Sequence, residues 1–183
     1  DMIAAADGPL EIIGSGSKRQ LGRPVQAAAT LDLSGFTGVI AYEPEELILD
    51  VAAGTPLAEV EALIAARGQQ LAFEPPDYSA LIGAGSSGTI GGLMACNLSG
   101  PRRIKAGAAR DHVLGVHGVT GAGNVFKAGA RVVKNVTGYD MPKLLTGSWG
   151  TLAALTSVIV KVLPAPETEE TVVLPGLDDA QAV

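Results

Sequence analysis

Aromatic residues, cysteine and histidine are scarce in this sequence, and each scarcity excludes a class of site. Aromatic side chains make up only 4% of the residues, too few for the stacking platforms that grip single-stranded nucleic acid. The one cysteine, Cys96, excludes an intrachain disulfide. One cysteine and two histidines do not suffice for a Cys/His zinc or iron–sulfur site. We therefore expect an intracellular, cytoplasmic protein without a metal.

Long apolar runs and an excess of positive charge are missing as well. No uninterrupted apolar segment reaches the roughly 18 residues of a membrane span, and no signal peptide precedes the fold. The 13 basic and 19 acidic residues give a net charge of −6, which argues against nucleic acid or an anionic membrane as the main partner. A hydrophobic content of 47% over 183 residues predicts a globular chain with a substantial core, as one domain or two small lobes.

The sequence is richest in glycine between residues 83 and 107, where seven glycines and three serines occur in 25 positions. Such a bare backbone lets a large ligand lie against main-chain N–H groups. Thr89 is placed to cap a short helix that starts in this stretch, and free N–H groups at a helix start suit a pyrophosphate. Composition alone leaves a flexible glycine-rich surface loop as an equal alternative.

Residues 83–88 match the pattern GxGxxG, but we do not interpret them as a Rossmann fingerprint. That fingerprint needs a strand directly before its first glycine, and here two prolines and a loop precede it. A second Gly/Ser turn, residues 14–18, follows a short β-branched run and ends in Lys18. Backbone donors and a cation converge there, although the turn lacks the spacing of a P-loop.

Hydrophobic periodicity predicts the remaining elements. The segment 54–68 is the clearest helix, with Thr55 as its cap and apolar residues at helical spacing. The other predicted elements are strands at 10–13, 30–33 and 69–73, hairpins at 39–51 and 113–127, a short helix at 142–145 and a long strand at 152–163.

Six ordered motifs together resemble the flavin-binding half of the vanillyl-alcohol-oxidase/PCMH flavoproteins. Within that superfamily the chain is most similar to the FAD-binding subunits of bacterial glycolate oxidases. The resemblance covers nearly the whole chain. The motifs are GSGSK at 14–18, EPPDY at 74–78, TIGGLMACNLSGPRR at 89–103, ARDHVLGV at 109–116, VVKNVTGYDMPKLLTGSWGTL at 132–152 and KVLP at 161–164.

The resemblance implies an α+β fold, a PCMH-type FAD-binding domain of two α/β lobes with FAD between them. It assigns residues 1–82 to a small N-terminal lobe and residues 83–166 to a larger lobe with an antiparallel sheet. Both ends of the sequence look cut, because it starts without an initiator methionine and stops where a new unit begins. We therefore expect residues 167–183 to open a cap, or substrate, domain that is otherwise missing.

The same resemblance implies the residues that contact the cofactor. Residues 14–18 match the loop around the pyrophosphate, 76–78 the segment along the cofactor, and 89–92 the helix start at the diphosphate and ribityl chain. Residues 97–100 match the turn behind that helix, and 150–156 the strand beside the flavin. The assigned residues are Gly14, Ser15, Gly16, Ser17, Lys18, Pro76, Asp77, Tyr78, Thr89, Ile90, Gly91, Gly92, Asn97, Ser99, Gly100, Gly150, Thr151, Leu155 and Thr156.

Other positions qualify this assignment. Ala153 stands where the family usually has glycine, and Trp149 is interpreted as a residue that packs the lobes together. Lys134 and Asn135 precede a run that fits the family's loop near the flavin. Many relatives bind flavin covalently through a histidine in the first glycine loop; residues 14–18 contain none, so the FAD should be noncovalent.

Function follows from the resemblance as an expectation. It implies that flavin oxidises glycolate, or a similar 2-hydroxy acid, to the keto acid. It also implies a complex with a second flavoprotein subunit and an iron–sulfur subunit, through which the chain would sit peripherally at the inner membrane. The catalytic residues stay unknown. Two alternatives stay open: another oxidoreductase of the same fold, or an assembly subunit that no longer binds flavin.

Overall fold

The structure is a computed structural model that describes residues 2–131 and 138–181. Its strands are β1 (Leu10–Ile13), β2 (Ala29–Asp32), β3 (Val39–Glu43), β4 (Ile48–Ala52), β5 (Gln69–Gln70), β6 (Val113–Thr120), β7 (Val125–Gly129), β8 (Ala153–Lys161) and β9 (Leu163–Pro164). Its helices are α1 (Leu57–Ala65), α2 (Ser79–Ile82), α3 (Ile90–Cys96), α4 (Arg103–Ala106), α5 (Ala109–His112) and α6 (Met141–Leu145).

A five-stranded antiparallel sheet forms the centre of the molecule, in the order β3-β4-β8-β6-β7. Val51, Val158 and Val116 stand opposite one another on β4, β8 and β6 and are fully buried. β-Branched side chains suit such a pleated surface because their preferred rotamers pack against cross-strand neighbours. The predicted α+β fold with an antiparallel sheet is confirmed, as are both predicted hairpins.

Helix α1 buries Leu57, Val60 and Ile64 in the hydrophobic core that it shares with this sheet. Its predicted position is therefore confirmed, but its predicted cap is wrong. The N-cap residue is Pro56. The Thr55 hydroxyl is engaged elsewhere: it donates to the carbonyl of Ala52 at 2.7 Å and accepts from the N–H of Gly38 at 3.0 Å. These bonds stabilise the turn at the end of β4 and do not cap the helix.

Strands β1 and β2 form a separate parallel pair beside the main sheet. The chain leads from β2 to the sheet through Leu33, whose carbonyl lies against Gly54 so closely that a β-carbon on Gly54 would overlap it. Glycine is needed at that position because the two backbones meet there without room for a side chain. The β1–β2 unit and the sheet are thus held side by side, and a cleft remains between them.

The main sheet draws strands from both predicted lobes. Strands β3 and β4 precede residue 82, and β4 pairs along its length with β8, which follows it. The division of the chain into lobes at residue 82, and the assignment of residues 167–183 to a further domain, stay predictions. Residues 165–181 form no helix or strand and are anchored by a 2.6 Å hydrogen bond from Arg102 to Glu169.

A candidate cofactor cavity between two bare loops

A cavity with a volume of about 420 Å³ lies between the β1–β2 unit and the central sheet. That size is in the range of pockets for small organic ligands. Its walls come from three segments far apart in sequence: the loop 14–18, the start of α3, and the turn that leads into β8. The predicted residues that line it are Gly14, Ser15, Gly16, Ser17, Lys18, Thr89, Gly91, Gly92, Gly150, Thr151 and Leu155.

The loop after β1 lines this cavity and leaves several backbone donors unused. Gly16 adopts a left-handed conformation with φ of +71°, and its carbonyl accepts from Arg19 N–H at 3.1 Å. Within the described part of the chain, the N–H groups of residues 15–18 donate to no backbone carbonyl. Successive unpaired N–H groups in a tight loop form a concave site for an anion.

Lys18 adds a positive charge to the same wall. Its ammonium donates to Ser17 Oγ at 3.1 Å and to the Ser87 carbonyl at 3.2 Å, which ties the first loop to the glycine-rich stretch. Burial lowers the pKa of Lys18, while the nearby Cys96 and Asp77 favour its charged form to a smaller extent. Among the described residues Lys18 forms no ion pair, whereas its neighbour Arg19 is paired with Glu11 at 2.7 Å.

The start of α3 lies on the opposite wall, capped as predicted. Thr89 Oγ1 accepts from the N–H of Gly92 at 3.2 Å. The expectation that the first N–H groups of this helix are unused is wrong, while its place at the diphosphate stays a prediction. The N–H of Ile90 donates to Thr55 O at 3.0 Å and that of Gly91 donates to Ala53 O at 2.8 Å. This helix start therefore contributes a bare surface to the cavity, and the loop 15–18 contributes the free donors.

Eight of the predicted site residues do not line the cavity: Ile90, Pro76, Asp77, Tyr78, Asn97, Ser99, Gly100 and Thr156. Ile90 is fully buried in the core. Asp77 accepts from the N–H of Ser79 at 2.8 Å, and this hydrogen bond lowers the pKa of its carboxyl. It lies next to α2, a contact that explains an acidic residue there without a cofactor.

The turn behind α3 has a structural explanation too. Asn97 ends the helix with φ of +51°, and its Oδ1 accepts from Arg110 N–H at 2.9 Å. Ser99 Oγ accepts from Ala109 N–H at 2.8 Å, and Gly100 lies directly against the backbone of Glu74. These contacts fasten α3 to α5. A role of these three residues in cofactor binding stays a prediction.

Trp149 and Cys96 are among the wall residues that the sequence analysis did not assign to the cofactor. Trp149 lines the cavity with 52% of its surface exposed, and its interpretation as a residue that packs the lobes together stays a prediction. Gly150 directly after it is the signal that sequence reasoning had available. Cys96 also lines the cavity, and burial raises the pKa of its thiol to about 11. Lys134 and Asn135 lie outside the described residues.

The described residues contain no helix long and apolar enough to cross a membrane. They also contain no group of three or more His, Cys, Asp or Glu side chains placed to hold a metal ion.

Comparison with known proteins identifies the family. The FAD binding domain family matches residues 1–129. Glycolate oxidase subunit GlcE of Escherichia coli (strain K12) is 47% identical over 158 residues, which cover 86% of this chain and 43% of that protein. Glycolate oxidase subunit GlcD of Bacillus subtilis (strain 168) is 32% identical over 148 residues, 81% of this chain and 30% of that protein.

Among solved structures, alkyldihydroxyacetonephosphate synthase superposes with a TM-score of 0.67 at 24% identity, over 87% of this chain and 28% of that chain. This similarity supports the fold alone. The chain spans less than half the length of these curated relatives. The resemblance found in the sequence is confirmed.

Proposed function

The chain belongs to the FAD-binding domain family, its cofactor is FAD, and on that premise we propose that it holds FAD noncovalently in the cavity between the β1–β2 unit and the central sheet. The observation that carries this proposal is the loop 15–18. Its N–H groups donate to no backbone carbonyl in the described chain, and Lys18 brings a cation that lacks an anionic partner there. A pyrophosphate supplies the acceptor oxygens and negative charge that both require.

The other walls suit the rest of the cofactor. Gly14, Gly91 and Gly150 remove side chains where the walls approach one another, and the apolar side chains of Ile12, Leu33 and Leu155 line the cavity. Bound there, FAD supplies the acceptor for two electrons from a substrate. The chain's own residues bind it, orient it and exclude water from it.

Noncovalent binding follows from the nucleophiles in the wall. The loop 14–18 contains no histidine. The thiol of Cys96 is the remaining candidate, but its pKa of about 11 keeps it protonated at neutral pH, and the thiolate is the nucleophilic form. When the protein is denatured, FAD should therefore dissociate from it as the intact, unmodified cofactor.

For the whole protein we propose a subunit of a glycolate oxidase that oxidises glycolate to glyoxylate. The support is the similarity to proteins named as glycolate oxidase subunits GlcE and GlcD. The proposed partners are a second flavoprotein subunit and an iron–sulfur subunit, with the assembly in the cytoplasm or peripheral to the inner membrane. Relatives named D-lactate dehydrogenase and D-2-hydroxyglutarate dehydrogenase make other 2-hydroxy acids the alternative substrates.

Two matched glycine variants test the cavity. Gly16→Ala places a side chain on a left-handed residue of the loop, and Gly22→Ala does the same with φ of +85° outside the cavity wall. Both should lose about 1 kcal/mol of stability. FAD affinity, measured by equilibrium dialysis, should fall at least about tenfold in Gly16→Ala alone. Equal affinity in the two variants would place the cofactor elsewhere.

The substrate is tested separately, with FAD-loaded protein mixed anaerobically with glycolate, D-lactate or D-2-hydroxyglutarate. The full chain with its partner subunits is used, and bleaching of the flavin absorbance is measured. Bleaching by glycolate supports the proposed substrate. If FAD binds but only another hydroxy acid bleaches it, glycolate is refuted as the substrate and the proposed cofactor site is not affected. If the wild-type protein binds no FAD, the proposed site itself is refuted.

A further inference from the structure

Trp149 is held in a conformation that tryptophan rarely adopts. Its φ is +54°, in the left-handed region where a bulky side chain is a genuine outlier. It is the only tryptophan of the chain, and it lines the cavity with about half of its surface exposed. Neither the backbone nor the core explains a large indole at this position.

Contacts on two sides fix the turn that carries it. The N–H of Trp149 donates to Ala95 O at 2.8 Å, and that of Gly147 donates to Met94 O at 3.0 Å, so the turn is tied to the end of α3. Gly150, with φ of +76°, lies against Ile12 of β1 on the other side. The indole thus sits where α3, β1 and the entrance to β8 meet at the cavity.

Strained residues persist where the surrounding structure over-determines them, and they cluster at ligand sites. Glycine would fit this turn without strain, so the chain carries an indole here at a cost in backbone conformation. What an indole offers in a cavity wall is a flat aromatic face, which binds planar rings by stacking.

We propose that Trp149 is a cofactor-binding residue whose indole packs against an aromatic ring of FAD. This inference rests on the proposed function, in which the cavity holds FAD. FAD carries two such rings, flavin and adenine, and both share the chemistry that an indole recognises. Trp149 would then strengthen FAD binding and shield that ring from water.

Affinity provides the first test. Equilibrium dialysis should give a Kd for FAD about tenfold higher in Trp149→Gly and Trp149→Ala than in wild type, and within about threefold of wild type in Trp149→Phe, which keeps an aromatic face. Trp149→Gly removes the left-handed strain but also the packing of the indole, so urea denaturation of each variant checks that a loss of affinity is not a loss of fold. Leu144→Ala is the matched control, because Leu144 is 57% exposed and outside the cavity wall.

Tryptophan fluorescence provides the second test and identifies the ring. With a single tryptophan, quenching of the emission by acrylamide reports the exposure of Trp149 alone. ADP carries adenine and pyrophosphate without flavin, and FMN carries flavin without adenine. The ligand that lowers the acrylamide quenching constant contains the stacked ring, and shielding by either supports the proposal.

The proposal is overturned if Trp149→Gly binds FAD within about twofold of wild type, or if neither ADP nor FMN, at saturation, changes acrylamide quenching. A wild-type protein that binds no FAD is a different result, since it refutes the proposed function before Trp149 is tested.

Discussion

Gly14 and Thr89 lie directly against each other in the wall of the candidate cofactor cavity. A β-carbon on Gly14 would lie 2.6 Å from Oγ1 of Thr89, and both residues line the cavity. The first follows strand β1 and the second caps helix α3. Their contact sets the spacing between the loop with free N–H groups and the opposite wall.

Gly14→Ala should therefore push these walls apart. The new methyl group overlaps Thr89, so we expect a loss of about 1–3 kcal/mol in the free energy of unfolding and weaker FAD binding. Urea denaturation and equilibrium dialysis measure the two effects.

Two further variants control this prediction. Gly85→Ala lies in the glycine-rich stretch, where a β-carbon would meet no atom within 4 Å, and should stay within about 0.5 kcal/mol of wild type. Thr89→Ala alone costs about 1 kcal/mol through its lost cap. If overlap is the cause, Gly14→Ala should lower the free energy of unfolding less in the Thr89→Ala background than in wild type. Equal losses in the two backgrounds would contradict the contact.

Lys18→Met should stabilise the chain without FAD and weaken its affinity for FAD. Burial lowers the pKa of Lys18 from its ordinary value of 10.5, so at neutral pH the folded state carries the cost of a poorly hydrated ammonium. The gain should stay well below 1 kcal/mol because the ammonium is still partly solvated. The Kd for FAD should rise about tenfold or more, as a charge-assisted contact to the pyrophosphate is lost.

The buried ammonium of Lys18 also predicts how the stability of the protein should change with pH. Between its lowered pKa and 10.5, Lys18 binds fewer protons in the folded state than in the unfolded state, so its contribution to stability rises with pH through that window. Lys18→Met lacks this rise, and Lys127→Met, an exposed lysine on β7, should retain it. Parallel stability curves for wild type and Lys18→Met would refute the buried charge.

Cys96 should react slowly with thiol reagents. A pKa of about 11 leaves far less thiolate at neutral pH than an ordinary cysteine has, so alkylation by iodoacetamide should be about 30-fold slower or more than in the denatured chain. The rate should rise with pH toward 11, and bound FAD should slow it further because Cys96 lines the cavity. A native rate equal to the denatured rate would contradict this burial.

Arg131→Met should destabilise the fold by about 2–3 kcal/mol. Arg131 donates to the carboxylate of Asp50 on β4 at 2.8 Å, and that carboxylate is only 3% exposed, so removing the arginine leaves a buried charge without its partner. Urea denaturation of Arg131→Met, Asp50→Asn and the double variant measures the coupling. Lys143→Met, which breaks an exposed pair with Asp140, should cost under about 0.5 kcal/mol.

Local patterns in the sequence predict much of the fold. The spacing of Leu57, Val60 and Ile64 predicts α1, since a helix brings such positions onto one face. Short glycine-containing turns between β-branched runs predict the hairpin β6–β7. The cap at Thr89 was also predictable, because a threonine before an apolar segment bonds the helix's own N–H groups.

Contacts between distant segments were not predictable in this way. The N–H groups of Ile90 and Gly91 were expected to be free, yet the loop before α1 takes both. Nothing near residue 90 in the sequence signals that Ala53 and Thr55 lie beside it. That Trp149 lines the cavity was not predictable for the same reason, since its exposure depends on how α3 and β1 hold its turn.

The six motifs were enough for the resemblance to FAD-binding proteins, and the glycine positions and helix caps were enough to locate the loops with bare backbone, because such signals act over a few residues. The folded chain was needed to see which donors remain free, that Lys18 bridges to Ser87 across 69 positions, and that Trp149 lines the cavity. Those features arise when separate segments compete for the same hydrogen bonds and the same space, and that competition takes place only in the folded chain.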